Sequence, residues 1–124
     1  MDYDTFAGLV ADALDSLPEH FLQRMENVEV LIEEWPSPQD LEEAGLGPRD
    51  RASLLGLYHG VPLTHRGASY SSLPDTITIY QKPIELEAGE DEEKVRGQVR
   101  HTVVHEIAHY YGISDERLGE LGRY

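Results

Sequence analysis

The chain has 124 residues, and 24 acidic against 10 basic side chains give it a formal charge of −14. A field of that sign repels phosphate backbones and anionic membrane surfaces, so neither nucleic acid nor a membrane is an expected partner. The length supports one domain, 1–124, and the absence of cysteine excludes disulfides and zinc ribbons, leaving histidines and carboxylates to hold any metal. The start from Met1 to Asp4 lacks the basic and apolar regions of a signal peptide, and no run reaches membrane-spanning length. A cytoplasmic location is expected.

Phe6, Leu9, Val10, Ala13, Leu14 and Leu17 recur at helical spacing and predict a first amphipathic helix, with Asp4 as its cap. Ser16 and Pro18 open a second, short helix over Glu19 to Met25, because proline suits the first helical position. Val28 to Ile32 is rich in β-branched residues and predicts a strand ending near Trp35 and Pro36. Asp40 to Ala44 predicts a helical turn stopped by Gly45, and Pro48 to Arg51 a charged turn. Leu54 to Tyr58 is a second strand candidate, closed by Gly60 and Pro62, and Thr64 to Ser72 is a polar loop. Thr76, Thr78 and Tyr80 alternate with Ile77 and Ile79 and make the clearest strand. Pro83 to Ala88 predicts a short helix stopped by Gly89. The acidic run Glu90 to Glu93 then suits the start of a long helix, about Asp91 to Tyr111, where the macrodipole favours negative charge. Ser114 to Leu121 is a last short helix. Helices and strands mix without βαβ alternation, so the fold class is α+β, a small sheet against helices.

The long helix carries His105, Glu106 and His109 in the order His-Glu-x-x-His, with Gly112 and Asp115 at successive three-residue steps. Residues four apart share a helix face, so both imidazoles can address one Zn²⁺, for which neutral imidazole is a good ligand. Glu106 is turned by about 100° around the axis. That places it beside the metal, where a carboxylate takes a proton from an activated water. Gly112 allows a left-handed turn and reversal of the chain, which makes Asp115 the candidate third ligand. Two other readings stay open. The histidines can be solvated or hydrogen-bonded in a core, and Asp115 can sit in the first turn of a helix capped by Ser114, with Glu116 as the fallback ligand.

The pattern His105-Glu-x-x-His109-x-x-Gly112-x-x-Asp115 resembles the extended zinc signature of metzincin peptidases, with Asp in place of the third His. More closely, Leu54 to Leu63, Leu73 to Tyr80 and Arg100 to Leu118 resemble the compact bacterial "minimal zincin" family. The resemblance implies a minimal zincin-like fold, in which an edge strand packs beside the active-site helix, together with one zinc ion and metallopeptidase activity on a peptide or protein substrate. By the same resemblance Asp75 to Tyr80 is the candidate edge strand. Thr76, Ile77, Thr78, Ile79 and Tyr80 would then bind an extended peptide by β-addition, against the alternative of an ordinary paired strand. Only nine residues follow Asp115 and none is Met, a departure from metzincins that predicts no C-terminal subdomain and no methionine turn.

His59, His65 and His101 are further imidazoles, and His101 continues the stripe of His105 and His109. Tyr110 and Tyr111 offer a phenol to a tetrahedral intermediate or simply pack, and Arg117 offers either an oxyanion contact or an ion pair. The leading expectation is zinc-dependent peptide hydrolysis with Glu106 as base. The alternatives are a metal-holding scaffold that docks extended peptides and, last, a nuclease. Because Asp115 is a harder donor than His, Mn²⁺, Co²⁺ and Ni²⁺ stay open beside zinc.

Overall fold

A computed structural model describes residues 1–60, 75–110 and 112, the side chain of Arg24 aside. The expected Thr64 to Ser72 loop and Ser114 to Leu121 helix lie outside these, as do His65, Tyr111, Asp115, Glu116 and Arg117.

Helix α1 runs Tyr3–Asp15 and buries Phe6, Leu9, Val10 and Ala13 along one face. Its cap is Asp2 rather than Asp4: the Asp2 carboxylate accepts the Thr5 amide at 2.8 Å, and that bond holds its pKa below the usual carboxylate range. Asp4 sits in the first turn, where the dipole favours it without capping geometry. The short helix α2, Glu19–Arg24, follows Pro18. Strand β1 is Val28–Glu33. Helix α3, Pro38–Glu43, starts two residues earlier than its apolar content suggests. A capping box explains this: the Ser37 hydroxyl accepts the Asp40 amide at 3.0 Å, and the Asp40 carboxylate accepts the Ser37 amide at 3.3 Å. After a single 3₁₀ turn at Arg51–Ser53 come β2, Gly56–His59, and β3, Asp75–Tyr80. Helix α4, Gln81–Ala88, leaves β3 without a loop, and α5 is Glu92–Tyr110.

The described strands form one mixed sheet in the order β1-β3-β2. β1 lies parallel to β3, from Val28 opposite Asp75 to Glu33 opposite Tyr80. β2 lies antiparallel to β3, with Gly56 opposite Ile79 and His59 opposite Thr76. The expectation that Asp75 to Tyr80 is an edge is therefore corrected. β3 is central: Thr76, Ile77, Thr78 and Ile79 lie between strands on both sides, and Tyr80 pairs with Glu33 of β1 while its amide donates to the Leu55 carbonyl just ahead of β2. Among the described residues the edge beside α5 is β2. Alternation reports which side chains share a face and says nothing about which strands flank it.

The core lies between the sheet and helices α1 and α5. Ile77 and Ile79 from β3 meet Val95, Val99, Val103 and Ile107 from α5 and Phe6, Leu9 and Val10 from α1. A smaller cluster, Leu41, Leu54 and Tyr80 with Leu57 beside it, fills the opposite face of the sheet under α3. Successive side chains of β2 thus divide: Leu57 faces α3, and Tyr58 faces the α5 side. β2 comes close to α5 because position 56 is glycine. A Cβ there would lie 2.6 Å from Thr102 Cγ2 and 3.2 Å from the Thr78 carbonyl oxygen.

Candidate active site

The valines at 95, 99 and 103 anchor α5 in the core, and the same helix presents His101, His105 and His109 on another side. The His105 and His109 ring centroids are 5.8 Å apart and nearly perpendicular, at 83°. His101 lies against His105, centroid to centroid 4.1 Å with a 41° tilt. All three, with Glu106, line one groove of about 290 Å³ whose far wall is Ser53 to Gly56, the approach to β2. The acidic residues Glu92 and Glu93 start this helix and His109 ends it, so an imidazole falls at the negative pole of the dipole.

Glu106 does not point idly into the groove. Its Oε1 accepts the backbone N–H of Tyr58, on β2, at 3.1 Å. Burial pushes the carboxyl pKa up, against smaller downward pulls from the Tyr58 amide and from His109. Tyr58 is fixed in turn. Its hydroxyl donates to Asp75 Oδ2 at 2.7 Å, and its ring stacks on Tyr110 at 4.1 Å and 20°. Tyr110 also covers Gly60, where a Cβ would fall 2.4 Å from the tyrosine ring. Tyr110 thus packs on the end of β2 while remaining 40% exposed.

The structure therefore brings His105, Glu106 and His109 together and adds His101 to their groove. Gly112 has φ +74°, the left-handed conformation that an ending helix uses to reverse. Asp115 lies outside the described residues. His59 leaves this site altogether: its Nε2 meets Glu43 on α3, across the sheet. Tyr58 is the residue that reading along the chain missed. Nothing in a strand pattern marks an amide that will meet a carboxylate 48 positions later.

Two imidazoles on one helix face, flanked by a carboxylate that is held off by its own hydrogen bond, form a donor set that fits a zinc ion. His105 and His109 are the residues that would hold it.

The profile of a family described as zincin-like metallopeptidase matches residues 25–123. Among solved structures, a conserved hypothetical protein from Thermo thermophilus is similar at 27% identity and a TM-score of 0.55, over 98% of this chain and 100% of that one. No curated protein matches.

Proposed function

Since the chain belongs to the zincin-like metallopeptidase family, we propose that it hydrolyses peptide bonds with zinc, with His105 and His109 as ligands, Asp115 as the third, and Glu106 as general base. The observation that carries this reading is the meeting of His105, Glu106 and His109 in one groove beside the β2 edge of the described sheet. Zinc bound there supplies a water of lowered pKa and polarises a carbonyl. The chain's own part is proton transfer and positioning. Glu106 takes the proton of the attacking water and returns it to the leaving amine. Among the described strands β2 is the edge beside α5, and along it an extended peptide would add to the sheet. A peptide carbonyl paired there would take over the Tyr58 N–H and release Glu106 for proton transfer.

The test is the metal content of untagged protein together with turnover of a peptide library. Expected is zinc in the parent, its loss in His109→Ala, its weakening in Asp115→Ala, and turnover lowered by about 10²- to 10⁴-fold in Glu106→Gln. A Glu106→Gln protein as active as the parent would sink the mechanism.

One observation favours a second reading, a peptide-docking module without turnover. Glu106 already has a structural task, tying α5 to β2 through Tyr58, so its presence does not require catalysis. A glutamine carbonyl would accept the same N–H. This reading predicts peptide binding that survives Glu106→Gln and a parent that turns over no peptide.

A further inference from the structure

The face of the sheet opposite the groove carries a second group of metal-binding side chains. Asp40 and Glu43 project from one side of α3, three positions apart, and His59 ends β2 beside them. One donor atom from each lies within 4.8 Å of the other two. The three come from two elements separated in sequence, and one is an imidazole, so this is more than the crowding of acids expected on a chain of charge −14.

The surroundings suit a cation. Among the described residues no lysine or arginine pairs with either carboxylate, and the one ion-pair partner is His59 itself, on Glu43. Asp40 is held from behind by the Tyr80 hydroxyl, which donates to Oδ2 at 2.8 Å from a fully buried side chain. The Ser37 amide donates to the same oxygen, so both bonds orient the carboxylate through Oδ2 and leave Oδ1 for a further partner. A ligating carboxylate oriented by an outer hydrogen bond is the usual arrangement in metal sites. Donor atoms around a tetrahedral ion with bonds of about 2.0–2.1 Å sit roughly 3.3 Å apart. Binding therefore needs the direct His59–Glu43 hydrogen bond to open so that both donors turn to the ion. Glu43 and His59 are 42% and 40% exposed along their side chains and have the freedom to do so.

We propose that Asp40, Glu43 and His59 form a second divalent-cation site, distinct from the one on α5, for a first-row transition ion such as Zn²⁺ or Mn²⁺. Two carboxylates and one imidazole are a borderline-hard set, harder than the histidine pair on α5, and they leave positions for water. The bound ion clamps α3 to the outer end of β2. Because the neighbouring residue Tyr58 holds Glu106, the clamp steadies the strand that borders the groove.

Zinc titration by calorimetry in a His105→Ala/His109→Ala background isolates this site from the other, so its failure is separate from that of the peptidase reading. The background protein should take up one zinc per chain. Adding Glu43→Gln or His59→Gln, both surface changes, should weaken uptake by about tenfold or more, and Tyr80→Phe by a comparable factor through Asp40. Shifts of the His59 imidazole resonances on titration give the location directly. A background protein that takes up no zinc at millimolar concentration, or uptake indifferent to Glu43→Gln and His59→Gln, would overturn the proposal and leave an ion pair only.

Discussion

Glu106 carries the sharpest consequences at the scale of one residue. Removing a general base while keeping its shape, as in Glu106→Gln, should lower kcat by about 10²- to 10⁴-fold with zinc content unchanged, checked by turnover and metal analysis on the same sample. Its raised pKa also bears on stability. The folded protein holds the proton more tightly than the unfolded chain does. The contribution is therefore favourable at pH below the ordinary glutamate value and is lost as pH rises through the raised one. Metal-free parent and Glu106→Gln should match each other in urea at low pH, and the variant should be the more stable at neutral pH, where burial penalises the parent's carboxylate. A difference independent of pH would show that burial is not the cause. Glu106 was legible in the sequence as the candidate base because His-Glu-x-x-His is local. Its bond to Tyr58 was not, since it joins two elements that only the folded sheet brings together.

Strand β2 is the element on which the site depends. It reaches α5 only because Gly56 has no side chain to meet Thr102 and the Thr78 carbonyl. Gly56→Ala should cost about 1–3 kcal/mol, as overpacking does, and should loosen the Tyr58–Glu106 contact. Urea unfolding measures the first effect and the amide exchange rate of Tyr58 the second. An unchanged stability would mean that the strand can shift without cost. Element types were largely readable: the periodicity of α1 and α5 and the alternation of β3 follow from what each segment must bury. Their ends were less so. α3 begins at a capping box rather than at its first apolar residue, and α4 follows β3 with no turn residue to announce it.

For the molecule as a whole, the charge of −14 has the widest reach. Like charges repel more in the compact state than in the expanded one. Raising ionic strength from about 0.01 to 0.15 M shortens the screening length from roughly 30 to 8 Å and should raise the melting temperature. A fall in melting temperature would indicate that attractive pairs such as Arg96 with Asp12 and Glu93 outweigh the repulsion. The same field concentrates cations and disfavours polyanions, which suits the metal-dependent reading better than the nuclease alternative. Among the described residues no helix is long and apolar enough to cross a membrane.

By itself the sequence singled out His105, Glu106 and His109 as candidates and determined the helix that presents them, because ligand spacing and helical period are local properties of the chain. It also determined the class of fold and the faces that turn inward. Only the tertiary structure decided the order of the strands, and with it that β3 is enclosed and that β2 is the edge of the described sheet that lies beside α5. Pairing is a contest between segments far apart, settled by how the whole core packs, and alternation is the same for a central strand as for an outer one. The same holds for Asp40, Glu43 and His59. Each reads as a lone surface residue until α3 is folded over the end of β2.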